Sequence, residues 1–429
     1  MKRFGLLLAV FCTFSQATFG GEADWSKGVS IPREGLANRH SRSATELAQS
    51  QQQGLGHILS YPYQKTGILF PIELFDNLNS PQTPQWLKSA AAILTPFQST
   101  ADMEEWLGLA KFDGEEFKPP FREGLTGRLG TTFIEKNNTI GITFGCPACH
   151  SSTLFGKSVM GVQNRFTKAI DFFGVAKKTL PLFPNDLMEQ WGYLSSGGNA
   201  MIKETKTKLR RIGTSKPQTL GLDSSIAFTG GSLARRGSDP YATPDRVRER
   251  NPSTNLFDNL IADSKPGVWW TLKYKNRWYL DGSLVSGQPV IANFLSNEIG
   301  RGVDLKEFEE WLISNKDIIE AMTDYVFSIE PPLYTDFFAA TDIDLESAKR
   351  GQKLFRNNCK GCHGDYIKGW EDPEVADITD QLATTKVLYH EKTPVIDVGT
   401  DPHRYQGMAE LARGAPCWAC TVGRARRRT

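Results

Sequence analysis

The segment TIGITFGCPACHSSTLFGK, residues 139–157, places two cysteines and a histidine directly after a β-branched run. Cys146, Cys149 and His150 form the pattern C-x-x-C-H. Residues four apart share a face of a helical turn, so Cys146 and His150 should lie on one side, with Cys149 beside them. Three kinds of site use such residues: a redox disulfide, half of a zinc site, or an attachment point for c-type haem.

A second copy of the pattern occurs later, in SAKRGQKLFRNNCKGCHGDY, residues 347–366. It comprises Cys359, Cys362 and His363. The chain has seven cysteines, and apart from Cys12 they form three C-x-x-C pairs. Two of the three pairs are therefore followed at once by a histidine, which is the pattern typical of c-type haem.

The repetition and the wide spacing favour haem over the alternatives. Zinc ribbons usually separate their pairs by about 15–20 residues, whereas 359 − 146 = 213 positions separate these two. A thioredoxin-like motif needs one copy only, and a structural disulfide needs no histidine; both stay open as alternatives. Haem c uses two thiols as thioethers and an imidazole on the iron. We expect two covalently bound haem c groups, held by Cys146, Cys149 and His150 and by Cys359, Cys362 and His363.

The two copies differ in what precedes them. Ala348, Leu354 and Phe355 follow an amphipathic helical pattern into the second copy, and Gly351 suits a close helix crossing. This predicts an ordinary cytochrome c helix and haem loop. The run TIGITFG before the first copy instead predicts a strand. The first haem should therefore lie in a more elaborate domain.

The coarse pattern predicts a mainly α fold, with two cytochrome c-like haem domains and an irregular, loop-rich middle region. Glu330-Pro331-Pro332 should end a long helix that begins near Asp304. The predicted divisions are a signal peptide (1–20), a polar lead-in (21–57), a first haem c domain (58–174), a middle region (175–343), an incomplete second cytochrome c domain (344–411) and an atypical basic tail (412–429).

The N-terminus predicts export. Met1-Lys2-Arg3 is basic, residues 4–14 are apolar but too few to span a bilayer, and Ser15-Gln16-Ala17 suits a signal peptidase. We expect a periplasmic or secreted protein without a membrane span in its mature form. Without Lys2, Arg3 and the five tail arginines, the formal charge falls from +2 to −5 (2 − 7 = −5). That balance does not predict binding to nucleic acid.

The two motifs, with SIEPPLY before the second and VGTDPHR after it, resemble the di-haem cytochrome c peroxidase superfamily. Within that superfamily, the chain looks most like the RoxA-like di-haem oxidoreductases, over residues 58–408. The resemblance implies a division of labour in which the N-terminal haem meets peroxide or dioxygen and the other haem passes electrons. The acid-rich loop that precedes the first haem in typical bacterial peroxidases is not evident in this sequence.

Relatives of that kind continue further and place a later His or Met on the second iron. Here the best candidates for a sixth ligand are Met408 and His403. The final stretch has no acids, and its Cys417 and Cys420 are followed by Thr421, so it does not predict a third haem. The abrupt change in composition suggests a truncated or frame-shifted end.

The sequence thus supports three hypotheses on function. The first is an exported di-haem oxidoreductase with peroxide or dioxygen chemistry at the N-terminal haem. The second is an electron carrier without turnover, and the third is a non-haem disulfide protein. The expected partner is a redox protein or a small electron donor or acceptor. Trp269, Trp270 and Trp278 could either assist electron transfer or serve as core residues.

Overall fold

The structure is a computed structural model of the chain. It describes residues 28–32, 34–113, 119–121, 123–214, 216–217, 225–236, 239, 266–275, 277–278, 284–285 and 289–390. The signal peptide and the basic tail predicted from the sequence lie outside these residues. No helix in the described part of the chain is long and apolar enough to cross a membrane.

Helices make up most of the regular structure. The α-helices are α1 (Ala44–Ser60), α2 (Glu73–Asn79), α3 (Gln85–Leu94), α4 (Thr100–Trp106), α5 (Pro147–His150), α6 (Ala169–Thr179), α7 (Asn185–Gln190), α8 (Ser196–Leu209), α9 (Ser225–Ala234), α10 (Pro289–Gly300), α11 (Leu305–Ser314), α12 (Lys316–Ser328), α13 (Leu345–Asn358), α14 (Lys360–His363) and α15 (Ile378–Leu382). Short 3-10 helices include Trp269–Tyr274 and Tyr334–Asp336. The mainly helical prediction is confirmed, whereas the presence of two haem domains stays a prediction.

The strands form small antiparallel sheets. They are β1 (Gly28–Pro32), β2 (Phe70–Pro71), β3 (Thr131–Lys136), β4 (Thr139–Phe144), β5 (Ser151–Leu154), β6 (Lys157–Met160), β7 (Arg277–Trp278), β8 (Leu284–Val285), β9 (Asp365–Lys368) and β10 (Thr384–His390). Their orders are β2-β4-β3, β1-β10-β9, β5-β6 and β7-β8.

Strand β4 confirms the extended run predicted before the first motif. Ile142 pairs with Phe70 on one side and Phe133 on the other, and it is fully buried. The β-branched residues of this run suit a strand that is paired on both edges and packed in the core. The central strand of a buried sheet therefore leads directly into Cys146.

The predicted polar lead-in ends in a helix, α1, after strand β1 and a stretch of turns. Helix α1 begins with a capping box in which Ser43 and Glu46 bond to each other's backbone N–H groups. It packs against α12 so closely that a Cβ on Gly54 would lie 1.9 Å from the Ala321 carbonyl oxygen. Arg39 and Arg42 pair with Glu320 and Asp324 of α12. These residues are thus tied to the core rather than projecting from it.

The core contains residues from both sides of the boundary predicted at Gly174. One cluster joins Ile58 and Tyr61 to Phe294 and Phe327, and the other joins Phe70 and Ile142 to Phe228. Helix α6 itself runs through Gly174. The long helix predicted before Glu330 is in fact two helices, α11 and α12, separated by Asn315, whose φ of −121° and ψ of 37° are not helical.

Candidate haem-binding sites

The first motif forms a single helical turn at the end of β4. Cys146 is the N-cap of α5, and the His150 N–H donates to the Cys146 carbonyl at 3.2 Å. Gly130, which has φ +94°, passes so close that a Cβ there would lie 2.3 Å from the Ala148 nitrogen. Only glycine fits this left-handed position and this approach. The Gly145 N–H donates to the Gly130 carbonyl at 2.7 Å, and this hydrogen bond joins the two segments.

Side chains donate hydrogen bonds to the backbone carbonyls of this turn. Asn164, which is 2% exposed, donates its amide to the Ala148 carbonyl at 2.9 Å and to the Gly108 carbonyl at 2.7 Å. The Thr167 hydroxyl also donates to Ala148, and the Ser151 hydroxyl donates to Pro147. A turn this short satisfies few backbone groups internally, so these bonds fix its orientation.

His150 is held by a carbonyl from a distant part of the chain. Its Nδ1 lies 3.0 Å from the Gly267 carbonyl oxygen. A carbonyl only accepts, so the proton resides on Nδ1 and the lone pair of Nε2 is left for a metal. Burial lowers the pKa of His150 to about 4, and the bond to Gly267 opposes that shift. The ring is therefore neutral at physiological pH, which is the ligating form.

Trp269 lies beside this histidine. The two ring centroids are 5.2 Å apart. The backbone N–H of Trp269 donates to the Gly161 carbonyl at 2.8 Å. The Gly161 N–H in turn donates to the His150 carbonyl at 2.7 Å. Of the three tryptophans singled out in the sequence, Trp269 adjoins the first motif. The side chain of Trp278 lies outside the described residues.

Cys146 is partly buried and packs against the core. Among the described residues Cys146 is a free thiol, and burial raises its pKa to about 11, with the charge of Arg301 opposing. A thiol with so high a pKa is a poor nucleophile for disulfide exchange. This geometry does not favour the redox-disulfide interpretation of the first motif.

The second motif ends an exposed helix. Asp344 caps α13, and its carboxylate accepts from the Ser347 N–H at 2.8 Å. Cys359 is the C-cap, and the His363 N–H donates to its carbonyl at 2.9 Å in the following turn. Cys359 is also a free thiol. The Cys362 side chain lies outside the described residues.

Helix α13 presents an apolar face that the described residues cover only in part. It has no buried residue, and Leu354 is 63% exposed. The Phe355 ring lies 6.3 Å from the His363 ring. Nothing described lies within 4 Å of a Cβ placed on Gly351, so the helix crossing there stays a prediction.

Both arrangements fit haem c. In the first, a turn brings two cysteines next to a histidine whose Nε2 is left for ligation. In the second, an apolar helix face leads into the same turn. Cys146, Cys149 and His150 would hold one group, and Cys359, Cys362 and His363 the other. No set of three or more His, Cys, Asp or Glu side chains in the described segments is grouped to hold a metal ion by itself.

Several expected residues fall elsewhere. Met408 and His403 lie outside the described residues, as do Cys417 and Cys420. Sequence reasoning missed Gly267, because a backbone carbonyl has no side-chain signature. It also missed Glu298 and Arg301, although a charge in an otherwise apolar helix, with an opposite charge just after it, is a detectable signal of a buried ion pair.

A family model described as cytochrome c matches residues 348–411. The match contains the second motif and most of α13. The chain therefore contains a cytochrome c domain, and such a domain carries covalently bound haem c and serves in electron transfer. No curated protein and no solved structure matches the chain.

Proposed function

We propose that this protein is an exported di-haem c-type cytochrome, with one haem at each C-x-x-C-H motif. The N-terminal site is an oxidoreductase centre that acts on peroxide or dioxygen. The C-terminal domain passes electrons between that centre and a redox partner protein or a small donor or acceptor. The resemblance to RoxA-like di-haem oxidoreductases supports this division, and the protein acts in the periplasm or outside the cell.

One observation carries the proposal: the hydrogen bond between His150 Nδ1 and the Gly267 carbonyl, at 3.0 Å. Here the bond fixes the tautomer and aims the other nitrogen away from the carbonyl, as is usual for a histidine that ligates a metal. When bound, haem supplies the redox chemistry. The chain ligates it, excludes water and limits access.

The second motif suits exchange of electrons with a partner. His363 is exposed, and it lies at the end of a helix whose apolar face is covered only in part. Rates of electron exchange rise when a haem edge is near the surface. This exposure also favours the second candidate function, an electron carrier without turnover, in which both irons would be six-coordinate.

The first experiment measures haem at each motif. The full chain is expressed in a host with cytochrome c maturation, quantified by pyridine haemochrome and digested for mass spectrometry. We expect haem on the peptides with Cys146 and Cys149 and with Cys359 and Cys362. The matched control is the double variant Cys417→Ser/Cys420→Ser, because that pair lacks a histidine. It should retain both haems, and haem on the 417–420 peptide would contradict the assignment.

The second experiment separates the two functions. A high-spin absorption band that persists in a Cys359→Ser/Cys362→Ser variant, together with turnover of peroxide or dioxygen by the reduced chain, would support the oxidoreductase. Two low-spin haems without turnover would establish the carrier instead. Haem at the second motif alone would refute the di-haem proposal.

A further inference from the structure

A buried ion pair adjoins the first motif. Glu298 is fully buried, and its carboxylate accepts from the Tyr61 hydroxyl, from the Thr66 hydroxyl at 2.9 Å and from the Gly67 N–H at 3.1 Å. Arg301 Nη1 is a fourth donor, at 3.2 Å. A buried carboxylate is retained only with such compensation, and this one has donors on both oxygens.

Arg301 connects this pair to the haem-attachment turn. It is 9% exposed, and its Nη2 donates to the Phe144 carbonyl at 2.7 Å, two residues before Cys146. The guanidinium carbon lies 5.4 Å from the centre of the Tyr61 ring. The positive charge is therefore fixed on the backbone that leads into the haem-attachment turn.

Fixed charges that are buried near a haem influence its reduction potential. Screening by water is weak where both members of the pair are buried, so each charge acts over a longer range than at the surface. Oxidation adds one positive charge to a haem. A nearby cation opposes that change and raises the reduction potential, whereas a nearby anion lowers it.

We propose that Arg301 and Glu298 are opposing electrostatic determinants of the reduction potential at the first motif, with Arg301 also positioning the turn through Phe144. This inference rests on the proposed function, since it requires a haem on Cys146 and Cys149. It adds that the reduction potential of this site depends on Glu298 of α10 and on Arg301, which follows α10, both more than 140 positions further along the chain.

The test compares three variants of the full di-haem chain that each remove one charge, Arg301→Gln, Glu298→Gln and Arg236→Gln, by spectroelectrochemical redox titration. Arg236 is the matched control, because its guanidinium is 3% exposed but bonds to the Ile299 and Val303 carbonyls. The two potentials are assigned with a Cys359→Ser/Cys362→Ser variant that retains haem only at the first motif.

We expect opposite shifts. At a fixed electrode potential, Arg301→Gln should raise the ferric-to-ferrous ratio of the first haem about tenfold, which is ~59 mV for one electron. Glu298→Gln should lower that ratio, and Arg236→Gln should leave it unchanged. A role in packing alone would alter unfolding or haem yield without giving shifts of opposite sign.

Each outcome decides the matter. Shifts of the same sign, or none, in an otherwise intact di-haem chain would overturn this inference and leave the proposed function standing. If Arg301→Gln fails to take up haem, the test uses Arg301→Lys and Glu298→Gln instead. Arg301→Lys should retain the wild-type reduction potential of the first haem, and Glu298→Gln must still raise that potential. Absence of haem from Cys146 and Cys149 in the wild type would refute both proposals.

Discussion

The two C-x-x-C-H motifs have the same five-residue pattern but different supports. The first is enclosed, and His150 bonds to Gly267, 117 residues away. The second is held by near neighbours: Trp370 donates to Gln352 18 residues away, and Phe355 packs on Tyr366. A short motif therefore specifies the chemistry of attachment, whereas its surroundings decide the burial, the access and the charge that the attached group meets.

The largest effect should come from Gly130→Ala at the first motif. The new Cβ would meet the backbone of Ala148 at a φ that L-residues rarely adopt, so we expect about 3 kcal/mol of lost stability. Denaturant unfolding and haem yield at Cys146 measure it. Gly124→Ala is the matched control, because its φ is +84° but no described atom lies within 4 Å. Equal losses of stability in both variants would show that the close approach of Gly130 to Ala148 is unimportant.

Asn164→Ala should have the next largest effect. It removes both amide donors from the buried Ala148 and Gly108 carbonyls, at a cost of about 2 kcal/mol. Asn358→Ala at the second motif is the control, since that exposed amide makes one bond, to the Leu354 carbonyl. Its effect should stay within about 0.5 kcal/mol. A comparable cost in both variants would remove the contrast between the enclosed and the exposed motif.

A smaller effect is expected from Arg356→Gln in the second domain. Arg356 Nε bonds to Asp365 at 2.7 Å and Nη2 bonds to Glu371 at 2.9 Å, in a partly exposed network. We expect a loss of about 1 kcal/mol at low salt that shrinks at high salt. Arg350→Gln removes a looser pair, 3.6 Å from Asp344, and should cost almost nothing. A loss that does not depend on salt would argue for packing instead.

The last prediction concerns pH and Glu104 near the first motif. Burial raises the pKa of this carboxyl above its usual 4.5, while bonds from Thr131 and Arg128 oppose the shift. A carboxyl whose pKa is higher in the folded than in the unfolded state stabilises the fold at pH values below its unfolded-state pKa. This contribution is lost as the pH rises through its folded-state pKa. The wild type should therefore lose stability relative to Glu104→Gln as pH increases from 4.5. A difference that does not change with pH would contradict this.

Local patterns were sufficient for much of this fold. The strand before Cys146 and the helix before Cys359 were both expected from nearby residues. The helical part of the lead-in was missed, although Ser43 and Glu46 form a capping box that the sequence displays. That segment is polar on most of its surface, and its packing against α12 depends on a glycine contact that no local pattern indicates.

By itself, the sequence determined the chemistry: two thiols and an imidazole at a fixed spacing, twice, with a cytochrome c domain around the second copy. Covalent geometry and helical periodicity act over five residues, so they can be predicted without a fold. Only the tertiary structure decided that the Gly267 carbonyl orients His150, that Asn164 fixes the turn, and that Glu298 and Arg301 place charges beside it. These contacts join residues far apart in the chain, and their energies depend on burial, which exists only after folding.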